Sequence, residues 1–175
     1  MIVLYIILGI LVALFVLIPL FLPSKVHVER SIEINAPAST IFKQINSLHN
    51  WRNWSPWEEK DPGMKRTYSG PNEGVGSTYE WHGNKKVGQG KMKITKSVSP
   101  YELDLDLQFG KSSKTSPCGF KLVESAGKTR VTWHLDVNFG MMLPARYFGL
   151  MLPKFIGPDY EQGLTNLKKV AEKGN

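Results

Sequence analysis

The sequence predicts an α+β domain: one curved antiparallel sheet of about seven strands, wrapped on a long C-terminal helix and preceded by a single transmembrane helix. Three observations carry this. An uncharged run fills the N-terminus, period-two alternation recurs between turn-rich segments through the middle, and apolar residues at helical spacing close the chain. A sheet with one dry face needs a cover, and the terminal helix supplies it.

From Ile2 to Leu22 the sequence IVLYIILGILVALFVLIPLFL carries no charge. At about 1.5 Å per residue it covers roughly 30 Å as a helix, the thickness of a hydrocarbon core. A cleavable signal peptide is the competing reading, but it requires a basic leading region and a small-residue cleavage site. Here Met1 leads straight into apolar residues and FLPSKV follows. Residues 1–24 therefore read as an anchor and 25–175 as one domain, a length sufficient for its own core. Pro19 lies near the exit, where it ends the helix without stranding donors deep in lipid.

All charged side chains follow the run, Lys25 being the first, so the formal excess of +7 belongs to the domain. A basic domain beside a bilayer suits an anionic cytoplasmic leaflet, and Lys25 and Arg30 just after the span predict a cytoplasmic orientation. The lone Cys118 forms no internal disulfide, which agrees with a reducing compartment.

Within the domain, KVHVERSIEIN places Val26, Val28, Ile32 and Ile34 on one face of a first strand. Pro37 then suits a helix start, and Ile41, Phe42 and Ile45 at helical spacing predict a short helix over Ala38 to Asn46. Next comes NWRNWSPWEEKDPG, with Trp51, Trp54 and Trp57 three residues apart. Pro56 disfavours helix at Ser55, so Trp57 lies beyond a break and the rings do not form one stripe. Trp54 is the ring expected to be buried. An interfacial belt is an alternative role, although a whole strand separates these rings from the anchor.

Short alternating runs follow, divided by SGPNEGVG, HGNKK, SVSPYE, GKSSKTSP and ESAGK. In YELDLDLQF, Tyr101, Leu103, Leu105, Leu107 and Phe109 share a face; in RVTWHLDVNF, Val131, Trp133, Leu135, Val137 and Phe139 do. One wet face and one dry face describe an antiparallel meander. From about Pro144 to Lys173 the spacing of Leu164, Leu167, Val170 and Ala171 is helical, while Pro153 and Pro158 predict a kink or two pieces.

The element order, together with ERSIEINAPASTIFKQI, NWRNWSPWEEKDP, GVGSTYEWHGNKKVGQGKMKI, TRVTWHLD and YEQGLTNLKK, resembles the polyketide cyclase/dehydrase and lipid-transport family of the SRPBCC, START-like or helix-grip superfamily. The likeness covers about Val26 to Glu172. It implies a helix-grip fold and a cavity between sheet and C-terminal helix; since superfamily members bind lipids, sterols, hormones or polyketides and only some catalyse, it leaves function open.

Chemical motifs are sparse. GxSxG, CxxC and HExxH are all absent, and His27, His49, His82 and His134 are scattered, so the sequence indicates no catalytic residue, metal site or cofactor. Glycines in GPNEGVGS and VGQGK open no predicted helix and read as hairpin turns. Glu58, Glu59 and Asp61 lie in a polar loop. Lys85, Lys86, Lys91, Lys93 and Lys96 cluster, yet the aromatic residues alternate toward the dry face, which argues against a nucleic-acid platform.

Counting by twos places Arg30 on the face of Ile32 and Ile34, and Lys96 on that of Met92, Ile94 and Val98. Inward cations require a partner, water or an anionic ligand, unless a bulge shifts the register or the side chains reach the cavity mouth. The stretch MMLPARYFGLMLPKFIG holds more apolar groups than one covering face requires, and suits a cavity wall, lipid contact or plain packing. The function expected is binding of a hydrophobic or amphipathic small molecule, lipid-like or polyketide-like. Arg30 and Lys96 are the expected polar groups, with Trp54, Tyr79, Trp81, Leu105, Phe120, Trp133 and Phe155 as the wall. A cyclase- or dehydrase-type enzyme and a chaperone-associated or stress-response interaction module without a small ligand are the alternatives; a buried acid–base pair would favour the first, a filled cavity the second.

Overall fold

The structure is a computed structural model that describes residues 1–110 and 112–173. Lys111, in the expected GKSSKTSP turn, and Gly174 and Asn175, at the end of the expected domain, lie outside the described residues. Helix α1 (Ile2–Phe21) leads into β1 (Lys25–Ile34), α2 (Ala38–Asn46), a 3-10 turn (Asn50–Asn53) and α3 (Pro56–Lys60). Strands β2 (Lys65–Ser69), β3 (Thr78–His82), β4 (Gln89–Val98), β5 (Glu102–Phe109), β6 (Ser116–Ser125) and β7 (Lys128–Asn138) follow, and α4 (Leu143–Glu172) ends the fold. The strands form one antiparallel sheet in the order β1-β7-β6-β5-β4-β3-β2.

Alternation sets the dry face as expected: Val28, Leu103, Leu105, Leu107, Cys118, Phe120, Val131, Trp133 and Leu135 are all buried. At the strand ends it weakens, with Tyr101 and Phe109 exposed. Pairing registers align inward rows across the sheet; Trp133 stands opposite Arg30 on one side and Phe120 on the other, and Phe120 opposite Leu103.

Strand β4 departs from simple counting. Its register with β5 shifts between Ile94 and Lys96, a bulge that leaves Thr95 as the extra residue. A one-residue slip turns every later side chain over. Lys96 therefore faces solvent, where its Nζ lies 2.5 Å from Glu102 Oε2, and Val98 is exposed. Ser97 takes the inward side and its hydroxyl bonds Asn46 Oδ1 at 2.7 Å. The expected inward lysine is thus corrected to a surface ion pair.

The break at Pro56 is present: Ser55 is extended and Pro56 opens α3. Pro153 and Pro158, by contrast, lie within a single 30-residue helix rather than dividing it. Each removes one internal hydrogen bond, while Leu152, Gly157, Tyr160, Leu164 and Leu167 stay buried on the sheet side across both. Continuous packing against β1 and β7 holds the helix in one piece.

Candidate functional site

The three tryptophans reunite in space although they are not one helical stripe. Trp51, Trp54 and Trp57 bring their rings within 5.9, 5.5 and 5.8 Å of Trp133, each edge-on or steeply tilted. Phe120 and Tyr160 stack on the same indole at 4.9 and 4.0 Å. Trp51 Nε1 donates to Ile45 O at 2.9 Å and Trp54 Nε1 to Gln44 O at 3.3 Å, which ties the segment to α2. Gly163 on α4 is required here, since a Cβ would stand 2.8 Å from the Trp133 ring. Under the C-terminal half of α4 the space between helix and sheet is filled by side chains.

Apart from polar surface depressions, two aromatic- and aliphatic-lined spaces stand out among the described residues. A void of about 50 Å³ lies beneath Tyr79, Trp81, Met92 and Leu107, with Trp57 and Val87 at its edge. A larger cleft of about 480 Å³ lies between the N-terminal half of α4 and the ends of β5, β6 and β7. Leu135, Val137, Phe139, Leu152 and Ile156 form its apolar walls, and Phe109, Met142 and Phe148 its rim. Among the described residues of its lining Lys114 carries a charge, its Nζ 3.6 Å from Met142 Sδ.

Of the sequence-predicted wall, Tyr79 and Trp81 face the small void. Leu105, Phe120 and Trp133 are packed core, and Trp54 is 1% exposed within it. Phe155 stands outside, 55% exposed. Arg30 does lie beneath α4: its Nε donates to Glu161 Oε1 at 2.6 Å and its Nη1 to Glu29 O at 2.8 Å, with Gly157 leaving room for the guanidinium. A partner from the same chain thus answers its charge. None of the nine predicted residues lines the larger cleft. Met142, Phe148, Leu152 and Ile156 belong to the surplus apolar groups of MMLPARYFGLMLPKFIG, the signal available in the sequence; Lys114 gives none.

Titratable groups offer little chemistry. Burial raises the Tyr79 hydroxyl well above its usual range, and it pushes the Cys118 thiol up to about 12, so Cys118 is held protonated and unreactive. Glu58 is held by Arg66, whose Nε donates to Glu58 Oε1 at 3.0 Å and whose Nη2 bonds Oε2. No group of three or more metal-capable side chains occurs among the described residues.

On the opposite sheet face His27 Nδ1 lies 2.8 Å from Asp136 Oδ1, and that hydrogen bond raises its pKa above the ordinary 6.5 against a smaller opposing effect of burial. Its stabilisation is complete below about pH 6.5 and is lost as pH rises through the raised folded value. Neighbouring His134 is shifted down by burial, so it destabilises the fold as pH falls below about 6.5. His27→Gln should therefore lower Tm in mild acid and leave it nearly unchanged near pH 8, whereas His134→Gln should raise Tm in mild acid. Parallel pH profiles for wild type and both variants would refute this assignment.

The sequence profile of the family described as polyketide cyclase / dehydrase and lipid transport matches residues 25–172. The chain belongs to that family. Its helix-grip architecture is shared with a Chromobacterium violaceum protein, 12% identical, with 86% of this chain and 99% of that one aligned at a TM-score of 0.58. A Thermus thermophilus protein is 11% identical over 85% of this chain and 99% of its own, with a TM-score of 0.62. The di-domain ARO/CYC BexL of the BE-7585A biosynthetic pathway is 13% identical, with a TM-score of 0.62 over 85% of this chain; the match spans 50% of that longer chain. No curated protein matches the sequence significantly. At these identities the solved structures establish the fold. Ahead of the family domain, α1 is long and apolar enough to cross a membrane, with a mean hydropathy of 3.1.

Proposed function

We propose that this chain is a membrane-anchored binding protein for a hydrophobic or amphipathic small molecule, lipid-like or polyketide-like, with its domain on the cytoplasmic side. The cleft of about 480 Å³ under the N-terminal half of α4 carries the reading: it is walled by aliphatic and aromatic side chains and has the cation Lys114 in its lining. Desolvation of an apolar ligand supplies affinity there, and Lys114 orients an anionic end. Residues 1–24 act as the anchor, and tethering beside the bilayer raises the local concentration of a lipid-like ligand. Tyr79 and Trp81 remain candidates for a short extension into the small void. Arg30 supports the wall through Glu161 instead of meeting the ligand.

The test uses full-length protein in detergent and a fluorescent long-chain fatty acid. Leu152→Trp fills the cleft with a ring that displaces at least two ligand methylenes, each worth about 0.8 kcal/mol, so affinity should fall about tenfold or more. Lys114→Ala should weaken the fatty acid but not its uncharged alcohol. Equal binding by wild type and Leu152→Trp removes this site from consideration.

A second reading is supported by the filled space around Trp133: an interaction module without a small ligand. Native mass spectrometry of the extracted protein separates the two. A co-purifying apolar species supports binding, and bare protein that also ignores the fatty acid supports the module.

A further inference from the structure

The contact between α1 and α4 fixes where the cleft lies relative to the bilayer. Arg146, in the first turn of α4, donates through Nη1 to Pro19 O at 3.0 Å and Leu22 O at 3.1 Å, carbonyls that the end of α1 leaves without internal donors. Its Nε and Nη2 hold Gly140 O at 3.1 and 2.7 Å, so one guanidinium clamps the loop before α4 to the end of α1. Tyr147 reaches further along α1: its hydroxyl donates to Phe15 O at 2.9 Å and its ring stacks on Phe15 at 5.2 Å.

That last contact sets a depth. Twenty helical residues make about 30 Å, as much as a hydrocarbon core requires, so a spanning α1 has no turn to spare. Phe15 is six residues before Phe21, about 9 Å inside the edge of the core. Tyr147 is bonded at that level. The start of α4 cannot then stand in water, and its composition agrees. Met142, Phe148, Leu150, Met151 and Phe155 are 44–55% exposed, and Met141 is 80% exposed. Between Asp136 and Asp159 the only charged side chains are Arg146 and Lys154, both cationic.

We infer that the segment from Met141 to Phe155 is an interfacial membrane element, immersed in the same anionic leaflet that α1 crosses, so that the cleft rim formed by Met142 and Phe148 opens onto lipid. The inference rests on α1 spanning the bilayer. Burial of an exposed apolar helix face and attraction of two cations to anionic headgroups supply the driving force, and the Tyr147 hydroxyl can enter lipid because Phe15 O accepts its hydrogen bond. A ligand then enters sideways from the leaflet and never crosses water.

Single-cysteine variants in a Cys118→Ala background, labelled with an environment-sensitive fluorophore, test the immersion in vesicles of phosphatidylcholine and phosphatidylglycerol. Met151→Cys and Phe155→Cys report on α4, Leu11→Cys on the span, and Val123→Cys, 65% exposed on β6, on water. Both α4 labels should be quenched several-fold more by nitroxide-bearing lipid than by aqueous iodide, with Leu11 alike and Val123 reversed. Iodide access at both α4 labels with Leu11 still lipid-quenched overturns the inference and leaves the anchor standing. Iodide access at Leu11 removes the anchor and the inference together. Shielding of α4 from both quenchers means that protein covers this face, which also overturns it.

Discussion

Trp133→Ala is expected to cost about 5 kcal/mol of folding stability, the upper end of the range for a buried Trp-to-Ala change. Five aromatic rings meet this one indole, and Gly163 has no side chain that could advance into the vacated space. The cavity therefore stays open and each neighbour loses its packing. Denaturant unfolding of the detergent-solubilised chain measures the change; a loss below about 2 kcal/mol would mean that the rings close over the gap. Trp133→Phe should cost far less, about 1.5 kcal/mol or under, because it keeps a stacked ring and deletes an Nε1–H that is buried without a protein partner.

Glu58→Leu should cost about 3 kcal/mol, since it strands the Arg66 guanidinium at a site where the side chain is only 14% exposed. Arg66 would retain its bond to Met64 O but lose both carboxylate contacts. The double variant Glu58→Leu, Arg66→Met should recover most of that loss, because an apolar pair of similar volume needs no compensation for buried charge. The same unfolding measurement decides it: a single-variant loss under about 1 kcal/mol would place the pair with ordinary surface ion pairs. Both changes act near Trp57 and Tyr79, so the small void should change shape with them.

The two experiments bear on different parts of one arrangement. Trp133 fills the space that a helix-grip cavity would otherwise occupy, and so moves the available volume toward the N-terminal half of α4. Glu58 and Arg66 secure α3 against β2 at the opposite end of the sheet. Neither change touches the large cleft. A loss of ligand binding in either variant at temperatures where it remains folded would argue that the filled core and the cleft are coupled.

Much of this was legible along the chain. Alternation in YELDLDLQF and RVTWHLDVNF pointed to Leu103, Leu105, Leu107, Val131, Trp133 and Leu135, which are buried, and Pro56 marked the break before α3, because strand parity and proline geometry are local properties. The site was not legible in the same way. Trp54, Phe120 and Trp133 have the composition of a cavity wall, but whether large rings line a space or fill it depends on how closely the opposite element approaches. Phe155 has helical spacing and an exposed position, which no pattern of its own could reveal.

By itself the sequence determined the faces of β1, β5 and β7, the uncharged N-terminal helix, the covering C-terminal helix and the inward placement of Arg30. Each follows from spacing within a few residues. Only the tertiary structure decided that Lys96 faces outward, that Glu161 answers Arg30 across 131 positions, and that Arg146 clamps α1 to the mouth of the cleft. A bulge arises from pairing with another strand, an ion pair joins residues far apart in sequence, and a cleft is the mismatch between two surfaces brought together by folding.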